Sequence, residues 1–234
     1  MPVGPGDGSR PRDPGSGPSH PAAPLPPVHH PVFARLLAWT GGAAARGFAD
    51  LRRELLAGAS GTAVEVGCGP GSNFPYYPAA VRQVVAVEPE PYLRRAAERA
   101  ARAAPVPIGV RAGVAEALPL ADGSADVAVV SLVLCSVADP GRALAELVRV
   151  LRPGGEVLFW EHVRADEPGL ARRQARADRW LWPALSGGCH CCRDTGAAMA
   201  DAGFTVTRLR AFRLSVPAPL AIISPMIVGA ARRG

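Results

Sequence analysis

The run GGCHCCRDTG (187–196) places three of the chain's five cysteines around one histidine. Thiolates and imidazoles are the usual ligands of zinc, so the run raises the question of a metal centre. Zinc takes its ligands from separated segments, whereas residues 189–192 are contiguous, and alternate side chains of an extended run point to opposite faces. The other two cysteines, Cys68 and Cys135, follow predicted strands whose ends a cofactor should fill. The sequence therefore predicts no metal site.

A glycine-rich loop in VEVGCGPGSNF (64–74) is the second chemical signal. Glycines let the backbone turn sharply and let a ligand press against it. Their spacing, Gly-x-Gly-x-Gly, differs from the Gly-x-Gly-x-x-Gly of dinucleotide-binding proteins. Glu65 precedes the loop inside a predicted strand, where an ionised side chain needs a partner such as a ligand's ammonium group. Glu88 ends the next strand, where a carboxylate can accept hydrogen bonds from a ribose diol.

Helical and strand-like segments alternate from Pro31 onward, which predicts an α/β fold with a largely parallel sheet. Ligands of such sheets bind at the carboxyl ends of the strands, where the glycine loop and Glu88 are predicted to lie. Asp194 is predicted to cap the last helix. The predicted strands span 62–67, 84–89, 108–113, 125–137, 156–163, 205–212 and 225–233, and the predicted helices span 32–57, 91–104, 140–155, 168–184 and 194–202.

Five stretches carry a resemblance to a known family. They are VEVGCGPGSNFPYYP, VVAVEPEPYLRRAAERA, AEALPLADGSADVAVVSLVLCSV, LAELVRVLRPGGEVLFWEHV and GGCHCCRDT, in that order. Together they resemble the class I S-adenosylmethionine-dependent methyltransferases, and more closely the branch of the small-molecule thiol methyltransferases and the ubiquinone/menaquinone C-methyltransferases. The resemblance covers 31–234. It implies one domain with a Rossmann-like, seven-stranded, mostly parallel sheet flanked by helices, and S-adenosyl-L-methionine as cofactor.

The resemblance also implies which residues bind the cofactor. The glycine loop matches the segment against the methionine part, Glu65 the acid near the amino end, and Glu88 the acid that holds the ribose hydroxyls. The segment at Glu116 matches the part beside the adenine. The full set implied is Glu65, Gly67, Cys68, Gly69, Gly71, Asn73, Glu88, Pro89, Ala115, Glu116, Leu132 and Leu134.

The implied reaction is an in-line SN2 transfer of a methyl group to a small, apolar acceptor. A thiol is preferred by the resemblance, with a quinol or a phenol as alternatives. His162 and His190 are the candidate catalytic residues, because each could deprotonate or bind the acceptor. Residues 168–190, including Trp180 and Trp182, are the predicted acceptor-side lid, together with apolar residues of the first helix: Phe33, Leu36, Leu37 and Trp39.

Two other functions compete with this prediction. One is an NAD(P)-dependent oxidoreductase with a Rossmann fold, against which the glycine spacing and the position of Glu65 count. The other is a non-catalytic, cofactor-binding scaffold. The chain also departs from the family, because Met226 stands where members often carry a histidine in the last strand.

Composition narrows the location and the partners. The formal charge is +6, but the chain has no lysine and its arginines are spread along it, so we predict no nucleic-acid partner. One helical face would carry four arginines, Arg172, Arg173, Arg176 and Arg179. We expect this face to be exposed to solvent, and contact with a membrane surface is the alternative. The Pro/Gly-rich residues 1–30 predict a disordered arm. With no signal peptide and no run of roughly 20 apolar residues, we expect a cytoplasmic protein.

Overall fold

The computed structural model describes Arg35 and residues 47–180 and 182–234. The predicted arm at 1–30, and most of the first predicted helix with its lid residues, lie outside the described residues. The strands are β1 (Gly61–Val66), β2 (Val81–Val87), β3 (Ile108–Arg111), β4 (Ala125–Ser131), β5 (Leu151–His162), β6 (Phe204–Arg213) and β7 (Pro225–Arg233). The α-helices are α1 (Ala49–Leu56), α2 (Pro91–Ala101), α3 (Pro140–Val150), α4 (Pro168–Trp180), α5 (Trp182–Leu185) and α6 (Thr195–Asp201).

The seven strands form one sheet in the order β3-β2-β1-β4-β5-β7-β6. The first five pair in parallel, and β7 runs antiparallel to both β5 and β6. This arrangement confirms the predicted Rossmann-like, seven-stranded and mostly parallel sheet. It also places the carboxyl ends of β1, β2, β4 and β5 along one edge.

Apolar side chains cover both faces of the sheet, as parallel strands require. Val64 and Val66 of β1 pack with Val130 on one face, while Ala63 packs with Val129 on the other. Alternation along β1 therefore turns Glu65 toward the same face as Ala63. A carboxylate is thus built into a strand that is otherwise apolar.

Several element boundaries differ from the prediction. The apolar run 125–137 is a strand only as far as Ser131, because Leu132 takes a φ of 61° and the chain turns. The helix predicted to 155 ends at Val150, where Leu151 already pairs with Ala125. The helix predicted over 168–184 is described as two, α4 and α5.

Helix starts follow local capping. Glu90 accepts hydrogen bonds from the backbone N–H groups of Tyr92 and Leu93 at the start of α2. Asp194 accepts from the N–H of Ala197, which confirms it as the cap of α6. In the described ranges, no helix combines the length and the apolar content needed to cross a bilayer.

Candidate active site

One cavity of about 520 Å³ lies along the carboxyl ends of four neighbouring strands, β2, β1, β4 and β5. Its size is typical of small-molecule sites. Strands lie about 4.8 Å apart, so three spacings separate its β2 end from its β5 end by about 14 Å. The candidate residues that line it are Glu65, Gly67, Cys68, Gly69, Asn73, Glu88, Pro89, Ala115, Glu116, Leu132 and His162. Gly71, Leu134 and His190 are not among its lining residues.

The glycine loop turns on three left-handed residues. Gly67, Gly69 and Gly71 have φ values of 63°, 55° and 84°, which L side chains rarely adopt. A Cβ on Gly67 would lie 2.7 Å from the Val133 side chain, and one on Gly71 would lie 2.6 Å from the Phe74 ring. Both glycines are thus required by packing as well as by backbone conformation, and Gly67 also lines the cavity.

Glu88 lies directly beyond the end of β2, and its buried carboxylate is only partly satisfied by the protein. One oxygen accepts from the N–H of Gly69 at 2.8 Å and the other from the N–H of Glu90 at 2.9 Å. Burial raises the pKa of Glu88, and these two amides oppose the rise. Each carboxylate oxygen can accept a further hydrogen bond, so the group can still bind a ligand from the cavity.

Glu65 is 2% exposed and belongs to a buried polar network. Its carboxylate accepts from the Asn73 amide at 3.0 Å and from the Tyr77 hydroxyl at 2.7 Å. Asn73 in turn accepts from the guanidinium of Arg52, a residue of α1 that sequence reasoning missed because nothing local marks it. Burial raises the pKa of Glu65 to about 7, with the hydrogen bonds from Tyr77 and Asn73 and the charge of Arg52 acting against it.

Glu116 lines the cavity but its carboxylate has a structural use. One oxygen accepts from the N–H groups of Ala138 and Asp139, at 2.9 and 3.2 Å, just before α3. Ala115 beside it is buried in the cavity wall. The carboxylate implied beside the adenine therefore also fixes the loop after β4.

Glu161 of β5 is a further buried acid. It is 0% exposed, and it accepts from the N–H groups of the turn after β4, from Val133, Leu134 and Cys135 at 2.9 to 3.0 Å. Burial raises the pKa of Glu161 while the three amides lower it. Because successive strand residues face opposite ways, His162 next to it enters the cavity.

At the β5 end, three side chains from separate segments meet. The Nδ1 of His162 lies 3.5 Å from the Sγ of Cys189 and 3.8 Å from the Sγ of Cys135. All three residues line the cavity. We call them the acceptor-end cluster. His162 is 27 positions from Cys135 and 27 positions from Cys189 in the sequence, so no local spacing could have revealed the cluster.

The rest of the cysteine run faces elsewhere. Asp178 of α4 accepts from the N–H of Cys191 and of Cys192, at 3.0 and 3.1 Å, and from the Cys191 thiol at 3.2 Å. The Nδ1 of His190 lies 3.9 Å from the same carboxylate. Burial lowers the pKa of His190, helped by the charge of Arg193. This geometry does not bring His190 to the cavity and gives no support to its predicted catalytic role.

Residues of the segment after α4 line the cavity near the β5 end. Trp182, Leu185 and Ile223 supply apolar surface to the cavity, whereas Trp180 is 80% exposed and is not among the lining residues. Gln174 of α4 is fully buried beneath this segment. Its side-chain amide contacts the carbonyls of Val163, Cys191 and Ile222 and the N–H of Ala165.

Comparison with known protein sequences identifies the family of this chain. Residues 64–159 match a family model described as a methyltransferase domain. The chain is 35% identical to the thiol S-methyltransferase TMT1B of Homo sapiens over 181 residues, which cover 75% of this chain and 73% of that protein. It is also 35% identical to the thiol S-methyltransferase TMT1A of Homo sapiens, over 77% of this chain and 78% of that protein.

Solved structures share the fold. The [4+2]-cyclase SpnF superimposes with a TM-score of 0.65 at 21% identity, over 82% of this chain and 81% of that one. A geranyl diphosphate methyltransferase in complex with S-adenosylmethionine gives 0.62 at 17% identity, over 89% and 93%. The relatives and the family model also set aside the oxidoreductase and scaffold hypotheses. The chain belongs to the class I S-adenosylmethionine-dependent methyltransferases.

Proposed function

We propose that this protein methylates the sulfur of a small, apolar thiol. The observation that carries the proposal is the cavity itself, which joins buried carboxylates at the β2 and β1 ends to an apolar, thiol- and imidazole-lined β5 end. The buried carboxylates suit the polar groups of a cofactor, and the apolar β5 end suits a soft, uncharged acceptor. Two relatives at 35% identity, named as thiol S-methyltransferases, point to the same acceptor class.

The residues at the cofactor end fit S-adenosylmethionine. Glu88 keeps free acceptor capacity on a buried carboxylate, which suits a ribose diol. Glu65 is a buried acid that lines the cavity together with Gly67, which suits the ammonium end of the methionine part. In this proposal Asn73 positions the Glu65 carboxylate through its hydrogen bond and is not a separate cofactor ligand.

The cofactor supplies a methyl group on a sulfonium whose leaving group is a neutral thioether. The protein must hold the acceptor sulfur in line with this bond, about 3–3.5 Å from the methyl carbon. The acceptor gives up its S–H proton to solvent, and its sulfur donates an electron pair to the methyl carbon. The bond from that carbon to the donor sulfur breaks, and its electron pair stays on the donor.

The residues of the β5 end are assigned to the acceptor. Trp182, Leu185 and Ile223 keep water from the reacting sulfur and bind the apolar body of the acceptor. A thiol with a pKa of about 8.5 has only a small thiolate fraction at neutral pH. His162, a polar group at this end, is assigned to the acceptor sulfur and favours its thiolate form.

The test offers alkyl thiols, phenols and quinols to the purified protein with methyl-labelled cofactor. We expect label in the thiol products only, and a drop of at least about tenfold in kcat/KM for His162→Gln. His190→Gln is the matched control, because His190 does not line the cavity, and it should keep near wild-type activity. Transfer to quinols or phenols alone would overturn the thiol assignment while leaving the enzyme a methyltransferase.

A further inference from the structure

The acceptor-end cluster combines two thiols and one imidazole that face a common point. The ligand atoms of Cys135, His162 and Cys189 all lie within 4.8 Å of one another. In the described part of the chain, this is the group of His, Cys, Asp and Glu side chains arranged so that it could hold a metal ion. Two soft sulfurs with one imidazole are a ligand set that favours zinc.

The distances match those of a tetrahedral zinc site. With Zn–S bonds of about 2.3 Å and Zn–N bonds of about 2.0 Å at tetrahedral angles, sulfur and nitrogen ligands lie about 3.5 Å apart. The Nδ1 of His162 lies 3.5 Å from one Sγ and 3.8 Å from the other. Both nitrogen–sulfur distances are therefore close to those that a bound zinc ion would need.

The backbone holds the three residues in place. Cys135 ends the turn whose N–H groups bind Glu161, and His162 follows Glu161 in β5. The carbonyl of Cys135 accepts a 2.7 Å hydrogen bond from the N–H of His190, which fastens the Cys189 segment to the turn. Gly188, at φ 91°, lies so close to Ser136 that a Cβ would stand 2.9 Å from its carbonyl oxygen. Such preorganisation is what a metal site requires.

We propose that Cys135, His162 and Cys189 form a zinc site whose fourth position opens into the cavity and receives the sulfur of the acceptor. Three protein ligands with one open position are the arrangement of catalytic zinc, whereas structural zinc is closed by a fourth protein ligand. All three residues line the cavity, so an acceptor can reach the open position. The acceptor part of this inference rests on the proposed thiol methylation.

The charge balance supports a reactive sulfur. Zn²⁺ with two cysteine thiolates and a neutral imidazole carries no net charge. An acceptor thiol that binds to it gives up its proton to solvent and stays as a bound thiolate. Because the neutral site withdraws little charge from a third sulfur, that sulfur keeps the electron pair needed for displacement. A methylated product is a neutral thioether and a weaker ligand, so it can leave.

The first measurement is metal content of the full chain. Protein made in zinc-supplemented medium and freed of loose ions should carry about one zinc per chain by mass spectrometry of the elements. Replacement by Co²⁺ should give intense tetrahedral d–d bands and a near-ultraviolet thiolate-to-cobalt band. Cys135→Ser and Cys189→Ser should lose both. Cys192→Ser is the matched control, because it belongs to the same run but not to the cluster.

The outcomes separate cleanly. Zinc far below one per chain with no cobalt spectrum in the wild type would overturn the site, and this holds even where a serine variant does not fold. Zinc that persists in both serine variants would be an adventitious ion and would also overturn it. S-adenosylhomocysteine binding and thermal melts show which variants are folded.

A titration of the cobalt form with an alkyl thiol tests the open position. The spectrum should shift saturably, and removal of zinc by a chelator should lower thiol methylation by at least about tenfold, with recovery on adding zinc back. A metal-loaded protein that methylates no thiol would remove the proposed function but keep the site. Thiol methylation that is undiminished in the metal-free protein would do the reverse.

Discussion

The N–H of Gly69 donates a 2.8 Å hydrogen bond to the carboxylate of Glu88. This contact joins the loop after β1 to the end of β2, so the carboxylate that faces the cavity also shapes the loop beside it. Loss of Glu88 should therefore weaken cofactor binding in two ways, through loss of the proposed ribose contact and through a loosened loop.

Glu88→Ala should weaken S-adenosylhomocysteine binding by at least about tenfold, because a hydrogen-bonding site then loses a charged partner. Isothermal calorimetry on the folded variant measures it. Glu98→Ala, on the exposed face of α2, is the control and should bind like the wild type. Equal affinities for Glu88→Ala and the wild type would contradict the ribose assignment.

Binding should depend on pH through Glu65. Its pKa of about 7 means that the carboxylate becomes neutral as the pH falls below that value and can no longer pair with the ligand's ammonium group. Affinity for S-adenosylhomocysteine should therefore be roughly five- to tenfold weaker at about pH 6 than at about pH 7.5. Glu65→Gln should bind weakly throughout and show a flat profile. A wild-type profile as flat as that of the variant would refute the role of Glu65.

The same shift has a consequence for stability. A carboxyl whose pKa rises on folding is favoured in the folded state when protonated, so the stability from this group is lost as the pH rises from 4.5 through about 7. Glu65→Gln should accordingly gain in melting temperature relative to the wild type above pH 7 and not below about pH 4.5. Parallel thermal scans across this range check the sign.

Glu161→Ala should be strongly destabilising. It leaves three buried N–H groups of the turn after β4 without their acceptor, which we expect to cost about 3 kcal/mol or more. Urea denaturation gives the free energy of unfolding. Glu156→Ala in the same strand removes an ion pair with the half-exposed Arg232 and should cost less than about 1 kcal/mol. Comparable losses in the two variants would show that the turn does not depend on Glu161.

Gly67→Ala separates backbone strain from a clash. Alanine at a positive φ costs about 1–2 kcal/mol, and here its Cβ would also meet the Val133 side chain at 2.7 Å. Gly123 has a φ of 57° but a Cβ there would meet no described atom within 4 Å, so Gly123→Ala isolates the backbone term. Gly67→Ala should be the more destabilising, and Val133→Ala in the same chain should recover part of the difference. Denaturation midpoints of the three variants measure this.

The fold could be predicted because its signals are local. The alternation of strand-like and helical segments, the glycine loop and the Asp194 cap each depend on neighbours in sequence, and the structure confirms the sheet and the cap. The strand predicted over 125–137 was too long, because an apolar run carries no sign of the turn that Leu132 begins. What makes that turn is Glu161, which lies 26 to 28 residues away.

The site was harder to predict than the fold, because its residues come from distant parts of the sequence. Glu65 and Glu88 were recognisable from their positions at strand ends, and both line the cavity. The acceptor-end cluster was not, because Cys135 was assigned to the cofactor region and Cys189 to the acceptor-side lid, with nothing in the sequence to join the two. Cys135 and Cys189 lie beside His162 because the fold brings together the turn after β4, the end of β5 and the segment before α6.

Gln174 sets a condition on engineering this enzyme. Its side-chain amide contacts the backbone carbonyls of Val163, Cys191 and Ile222. One buried side chain, the anchor, therefore joins three segments that adjoin the β5 end of the cavity. A chimera that imports residues 164–192 from a relative brings its own residue 174 against foreign carbonyls. New substrate range should therefore transfer as an interchangeable module only when the anchor and its three carbonyl contacts travel together, and piecemeal exchange of these segments should yield misfolded protein before it yields new specificity.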